Sequence, residues 1–218
     1  MESRIEAYSP EWWASRHGCF TGSEIWKLLT SPKTKSATFS VTAETYIFEK
    51  VWEFLSQQSK NGIDNFATQW GVENEPLAKK WYTKLTGEII DDSYLVFKDG
   101  LNGFTGTPDG FVGKYGLIEI KCPYNGANHL KHCLIDSDEY FKLEHKEYYW
   151  QMQSYMFLAN RKWCDFISFD PRINSDIGFF KYRLMANTCD FELIEIAVKT
   201  ARVKYYELIN QFQPVTIN

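Results

Sequence analysis

Gly106-Thr-Pro-Asp-Gly110, followed by Leu117-Ile-Glu-Ile-Lys-Cys122, is the stretch on which the reading of this chain turns. It reads as two extended segments joined by a short, glycine-containing turn. In the second segment apolar and charged residues alternate. A strand there sends Glu119 and Lys121 to one face and Ile118, Ile120 and Cys122 to the other. At a rise of about 3.3 Å per residue, the Glu and Lys heads are expected roughly 7 Å apart. Asp109 is expected where the partner strand ends in a tight turn, with Gly110 supplying backbone angles that other residues avoid. Charges set in isoleucine-rich sequence are costly unless they have partners. Two carboxylates and a lysine on one sheet face therefore predict a metal-dependent hydrolytic site. Solvated strands also carry Asp and Glu-x-Lys, and the residues alone leave both readings open.

Phosphodiester hydrolysis needs an activated water, a cation facing the developing negative charge and stabilisation of the leaving alkoxide. Hard divalent cations such as Mg2+ supply these functions and prefer oxygen ligands. In this reading Asp109 and Glu119 hold one or two ions and the Ile120 carbonyl is a further oxygen. Lys121 orients or helps deprotonate the attacking water, its pKa depressed by the metal. No thiolate or imidazole is placed to compete, which disfavours zinc.

Composition bounds the rest. At 218 residues, 44% hydrophobic and 17% aromatic, the chain can bury a sizeable core, and residues 1–218 are read as a single domain. No apolar run approaches the roughly 18 residues of a membrane span, and Met1-Glu-Ser-Arg4 does not open a signal peptide. A cytoplasmic location without membrane partners is expected. The 5 cysteines are widely spaced, so reduced thiols are expected and an iron–sulfur cluster is not. A net charge of −4 neither supports nor excludes a DNA substrate, because a local basic channel can coexist with an acidic exterior.

Residues 11–18 are predicted as a short helix stopped by Gly18, and Thr21-Gly-Ser-Glu24 as a capping box opening a helix over 24–29. Between them, Arg16 and Ser23 are either surface groups or a phosphate site of guanidinium and hydroxyl beside a helix N-terminus. The loop 30–40 is basic and rich in Ser and Thr; its Lys33 and Lys35 either touch a phosphate backbone or are merely solvated. Helical spacing predicts a helix over 41–58 with Tyr46, Ile47, Val51, Phe54 and Leu55 inward. After a break at Asn61-Gly-Ile-Asp64, a second covers 66–85 with Trp70, Leu77, Ala78 and Trp81 as its apolar stripe. Glu73 and Glu75 stand in its first turns, where an acidic side chain ordinarily serves the helix dipole. His129-Leu-Lys-His-Cys133 lacks a second ligand cluster and is read as structural rather than zinc-binding. Strands over 94–98, 163–169 and 178–185 and a long helix over 140–160 follow the same patterns. A final helix over 191–212, with Leu193, Ile196, Ala197, Ala201, Tyr205 and Leu208 inward, completes a mixed α/β arrangement around a central sheet.

Pro108-Asp109 with Glu119-Ile-Lys121 matches the PD-(D/E)XK nuclease signature, and the wider chain resembles the lambda exonuclease type of phage recombination nuclease, the viral alkaline exonucleases. The resemblance is carried by Trp12 to Leu28 with Arg16 and Thr-Gly-Ser-Glu, Trp70-Gly-Val-Glu-Asn-Glu75, Thr107-Pro-Asp-Gly110, Ile118-Glu-Ile-Lys-Cys-Pro123, Tyr149-Trp-Gln-Met-Gln-Ser-Tyr155 and Phe169-Asp-Pro-Arg172. The signature alone is loose, but these ordered blocks are specific and span nearly the whole chain. The resemblance implies a restriction-endonuclease-like α/β core, a central mixed sheet flanked by helices. It implies a Mg2+-dependent 5′→3′ exonuclease, with two ions and with Mn2+ able to substitute, that degrades one strand of linear duplex DNA to leave a 3′ single-stranded tail for recombination. Its partners would be double-stranded DNA ends, further copies in a homotrimeric ring and a single-strand annealing protein, in the host-cell cytoplasm for a phage-encoded enzyme.

Residue by residue, Glu75 matches the helical glutamate that extends the metal site. Gln151 and Gln153 match the polar helix positions facing the active site, with Tyr155 completing a Gln-x-x-x-Tyr pattern. Arg16, Ser23 and Thr107 match positions that bind the terminal 5′ phosphate. The chain departs from the pattern twice. The second phosphate-pocket arginine falls on Ala127, with Asn125 or Asn128 as neutral substitutes, and the apolar wedge that splits the end base pair falls near Thr68, with Phe66 nearby. An endonuclease or a RecB-like nuclease module of the same fold is the alternative, and a catalytically inactive DNA-binding module the more distant one.

Overall fold

The computed structural model describes residues 5, 9–58, 66–91, 93–98, 100–174 and 176–212. The expected helix break at Asn61-Gly-Ile-Asp64 lies outside the described residues. The first helix, α1 (Pro10–Arg16), is opened by Ser9, whose hydroxyl accepts from the Trp12 N–H, and by Pro10 in the first turn. It stops before Gly18 at φ +64°, a backbone angle that favours glycine. The expected capping box does not form. Thr21 lies in the two-residue strand β1 (Phe20–Thr21), the turn after it is a 3-10 helix (Gly22–Lys27), and Glu24 pairs with Lys27 instead of folding back.

Next come α2 (Val41–Ser56), α3 (Phe66–Thr86), β2 (Ile90–Asp91), β3 (Val96–Phe97), β4 (Phe104–Gly106), β5 (Gly110–Val112) and β6 (Gly116–Lys121). After these follow α4 (Gly126–His132), α5 (Asp138–Glu144), α6 (Lys146–Ala159), β7 (Trp163–Phe169), β8 (Phe179–Met185) and α7 (Thr188–Phe212). The long helix expected over 140–160 is thus two, parted at His145, whose backbone leaves the helical region. The strands β1 and β2 escape sequence reading because two residues carry no alternation.

Five strands form the central mixed sheet in the order β2-β5-β6-β7-β8, and β6 and β7 are its parallel pair. A smaller sheet, β1-β4-β3, stands beside it. Helices cover both faces of the central sheet. Leu117, Cys164, Phe166 and Leu184 join α2, α6 and α7 in the larger core, while Ile118, Ile120 and Ile167 on the opposite face pack against Ala78 and Tyr82 of α3. The inward faces of α3 and α7 are rotated in part from those expected, Ala78, Ala201, Tyr205 and Leu208 being buried as read, and Tyr46, Ile47 and Val51 of α2 are buried as expected. Ile194, Val198, Ala201, Tyr205, Leu208 and Ile209 are the buried apolar residues of α7, whereas Leu193 and Ile196 are exposed. On α3, Leu77 and Trp81 are exposed and Tyr82 is buried; on α2, Phe54 and Leu55 are exposed. In each case several apolar residues lie about the helix, and the sequence pattern alone does not say which stripe meets the sheet.

One buried charge ties α3 to this sheet. Asp165 of β7 is fully buried and accepts from Tyr82 Oη at 2.9 Å and from Arg183 Nε and Nη2 at 2.7 and 2.8 Å. Removing the carboxylate leaves the Tyr82 hydroxyl unpaired in the interior, while the half-exposed Arg183 can rehydrate. Asp165→Ala should therefore lower the unfolding free energy by about 3 kcal/mol, at the low end for a broken buried pair, read as a shifted denaturant midpoint.

Candidate active site

The hairpin β5–β6 sets the geometry. Gly110 pairs with Ile118, so the register carried one step outward sets Asp109 across from Glu119. Asp109 Oδ2 accepts the Ile120 N–H at 2.6 Å, and Ser93 donates to the Pro108 carbonyl at 2.6 Å, which fixes the Pro-Asp step. Gly110 is not needed for its backbone angle, contrary to the sequence reading. A β-carbon there would collide with Ile90 Cγ2 of the neighbouring strand, so the glycine is a matter of space. Glu119 and Lys121 do share a face, with Ile118 and Ile120 on the other. Their heads are not 7 Å apart: Lys121 Nζ folds back to donate to Glu119 Oε1 at 2.6 Å.

Glu119 is 1% exposed, and its second oxygen, Oε2, is buried with no hydrogen-bond donor among the described residues. An unpaired buried carboxylate oxygen is expensive. Burial, and after it the Glu119 carboxylate, push the Asp109 pKa well above the usual carboxylate range. Burial also raises Glu119, the Lys121 ammonium offsetting part of that rise. For Lys121, burial pulls the pKa down, but the Glu119 and Asp109 carboxylates outweigh it and hold the proton more firmly than water does. With only protein groups around it Lys121 is therefore an ammonium, and the depressed pKa expected of it requires a cation's charge to offset those carboxylates.

These groups face an open cleft of about 840 Å3. Its walls include Glu75 and Lys79 of α3, paired at 2.7 Å, and Tyr148, Gln151 and Tyr155 of α6. Lys121 Nζ lies 5.0 Å from the centre of the Tyr148 ring, and Gln151 Nε2 donates to Tyr155 Oη at 3.0 Å. Positions 148, 151 and 155 share one helical face by their three- and four-residue spacing, a signal that was available in the sequence and missed for Tyr148. The same periodicity turns Gln153 away. Its amide is spent on the Met185 carbonyl and the Asn187 N–H, so Gln153 fastens α6 to the end of β8 and does not line the cleft.

The expected phosphate-binding groups divide. Thr107 Oγ1 accepts from Trp12 Nε1 at 2.8 Å and lies 3.5 Å from Arg16 Nη1, and the Arg16 guanidinium stacks 4.2 Å from the Trp12 ring centre; all three line the cleft. Ser23 is not among the lining residues, and its hydroxyl lies 3.3 Å from Thr21 Oγ1. Lys33 lines a separate recess between the 30–44 segment and α7, and Lys35 is exposed on the same loop; neither borders the cleft. On α4, Asn125 caps the helix through the Ala127 N–H, Asn128 reaches the cleft, and Lys131, one turn beyond Ala127, lines it as well. Thr68 borders the cleft, while Phe66 stands outside it, edge-on to Tyr124 at 4.7 Å. His129 and His132 both bond Ser168 Oγ at 2.8 Å.

Among the described residues, no three His, Cys, Asp or Glu side chains form a ready-made metal cage. The donor set nonetheless fits a hard divalent cation. A buried carboxyl whose pKa burial and the neighbouring Glu119 carboxylate raise, and a buried oxygen without a donor, are both relieved by positive charge.

The chain matches the YqaJ-like viral recombinase domain over residues 11–162. It is similar to the alkaline exonuclease LHK-Exo of Laribacter hongkongensis, with 30% identity and a TM-score of 0.79 over 94% of this chain and 96% of that one. The structure of LHK-Exo in complex with dAMP matches at 32% identity and a TM-score of 0.78, with the same coverage. A phage-related exonuclease of Haemophilus somnus 129PT shares the fold at 21% identity, a TM-score of 0.73, and 89% and 96% coverage. No curated protein sequence matches the chain. A domain match over most of the chain, on a fold that aligns almost end to end with an alkaline exonuclease, makes this protein a member of the YqaJ-like viral recombinase family and a homologue of the alkaline exonucleases.

Proposed function

We propose that the protein is a Mg2+-dependent 5′→3′ exonuclease, one nuclease unit that degrades one strand of linear duplex DNA and leaves a 3′ single-stranded tail. The observation that carries this reading is the donorless Glu119 Oε2, buried beside Asp109 and Lys121 in the lining of an open cleft of about 840 Å3. Asp109, Glu119 and the Ile120 carbonyl would hold the cation, with Glu75 as a direct or water-mediated ligand. A bound divalent cation, or a pair of them, supplies Lewis-acid stabilisation of the phosphoryl oxygens and lowers the pKa of water. Lys121 holds the attacking water by hydrogen bonding, and the Tyr148 ring limits where its ammonium can swing. Gln151, aligned by Tyr155, donates toward the substrate side of the cleft. Arg16, set by its stack on Trp12 and backed by Thr107, offers a guanidinium to the terminal phosphate. Lys131 supplies the second positive charge that Ala127 lacks, as a point charge rather than a fork.

The exposed pair Phe66 and Tyr124 at the rim is the proposed replacement for the missing apolar wedge at the end base pair. A homotrimeric ring and a single-strand annealing partner belong to the same proposal, as does action in the host cytoplasm. Exposed apolar rows on α2 and α3, including Phe48, Trp52, Leu77 and Trp81, leave surface for such contacts. An endonuclease or RecB-like role is the second reading, and the open cleft is equally compatible with it.

End-labelled linear duplex decides between them: with Mg2+, nucleotides should be released from the 5′-ended strand while covalently closed circles survive. Cutting of closed circles would make the protein an endonuclease, and no release from linear duplex would remove the enzymatic reading. Glu119→Gln and Lys121→Ala should each lower kcat by about 10^3-fold, within the range for a positioned acid–base group, while duplex binding in Ca2+ persists. Arg16→Ala should raise KM for 5′-phosphorylated ends about 10-fold and leave 5′-hydroxyl ends little changed, because it removes a charge-assisted contact to one phosphate.

A further inference from the structure

The Asp170-Pro-Arg172 turn takes no part in the site, yet it touches α3 and the loop after β6, both of which contribute to the lining of the cleft. Asp170, at the end of β7, is buried and accepts from the Arg172 backbone N–H at 3.1 Å, Nε at 2.8 Å and Nη2 at 2.7 Å. This forked grip fixes the guanidinium although its outer edge is in solvent. Nη2 also donates to the Tyr124 carbonyl at 2.9 Å, in the loop that leaves β6 directly after Glu119-Ile-Lys121. The guanidinium carbon sits 4.6 Å from the centre of the Trp70 ring on α3, and the Tyr124 ring meets both Trp70 and Phe66 edge-on at 5.9 and 4.7 Å. One side chain thus joins the end of β7, the loop after the catalytic strand and the start of α3.

The start of α3 needs such a tie. The carboxyl half of the helix is anchored by Ala78 and Tyr82 in the core, but before them only Asn74 is buried. Pro76 lies inside the helix and cannot donate to the Val72 carbonyl, which weakens the helix just after Glu75. The segment 66–75 is therefore an arm joined to its anchored half at a proline, and Glu75 rides at its end.

We propose that Arg172 is a positioning residue: by clasping Trp70 to the Tyr124 carbonyl it holds the 66–75 arm, and with it Glu75, against the carboxylates of Asp109 and Glu119. This rests on the nuclease reading only in assigning those carboxylates to a divalent cation. Arg172 touches no reacting atom and acts through the placement of Glu75. Lysine keeps the charge but not the fork or the flat stack, so it should restore the function in part.

Calorimetric titration of the full chain with Ca2+, together with melting temperature, tests the clasp without relying on turnover. Arg172→Ala should weaken Ca2+ binding about 10-fold and Arg172→Lys by less. Amide exchange over 66–75 should quicken in Arg172→Ala while that over 77–86 stays unchanged. Arg202→Ala, which removes a guanidinium bonded to the Gly18 carbonyl and to Tyr206 Oη and, among the described residues, makes no contact with α3, controls for general destabilisation and should leave Ca2+ affinity unchanged even where it lowers the melting temperature. Wild-type affinity in Arg172→Ala, equal weakening in Arg202→Ala, or a wild-type chain that binds no divalent cation overturns the proposal. A wild-type chain that binds Ca2+ but digests no DNA with Mg2+ refutes the nuclease reading and leaves the clasp standing.

Discussion

A carboxylate kept almost wholly from water, with a second carboxylate opposite and one ammonium to share, is a cost that the rest of the fold must carry. Glu119 has Lys121 on one oxygen and, among the described residues, no donor on the other. Nothing local compels that arrangement; it persists because β6 is held in register on both sides, antiparallel to β5 and parallel to β7. Ile118 and Ile120 bury the reverse face of the same strand, so the chain cannot rotate Glu119 outward without exposing the smaller core. A site that stores such electrostatic strain is relieved by whatever positive charge enters it, and that is the physical basis for reading it as a cation site.

The two sheets divide the work of the cleft. The three residues Thr107-Pro-Asp109 cross from β4 in the small sheet to β5 in the central one. Thr107 faces the Trp12 and Arg16 corner and Asp109 faces Glu119, so a corner carrying a guanidinium and an acidic corner are linked by a single proline. Their spacing is held by α6. The Tyr155 ring lies against Gly22 and Gly106, and a β-carbon at either glycine would strike it. The helix that presents Tyr148 and Gln151 to the cleft is thereby pressed onto the strands that present Thr107. Close approach, rather than unusual backbone angles, is what these glycines contribute.

Polar interactions far from the cleft serve the same end. The buried Asp190 at the start of α7 accepts from Lys142 and Tyr149, binding α5, α6 and α7 together. Gln153 does the corresponding work between α6 and the segment after β8. Asp190, Tyr149 and Gln153 are each buried and satisfied, which gives α6 one fixed rotation about its axis and so fixes which of its side chains reach the cleft.

Some of this was legible in the sequence. Alternation in 117–122 determined the two faces of β6, the period-3.6 patterns located most of the helices, and the ordered motifs identified the family and the central mixed sheet. Other features have no local signal. The rotation of α3 and α7 was misread because both carry more apolar residues than one face can bury. The strands β1 and β2 are too short to alternate, and the Lys121 head folds back through a flexible side chain that strand spacing does not describe. Gln153 was grouped with Gln151 by motif, although helical geometry turns them apart. The pairing of Arg16 with Thr107 joins residues 91 positions apart, and the clasp of Arg172 on Trp70 and Tyr124 spans three elements. Sequence determined which residue types and periodicities were present; only the tertiary structure decided which faces meet, because burial and long-range pairing depend on what the rest of the chain brings alongside.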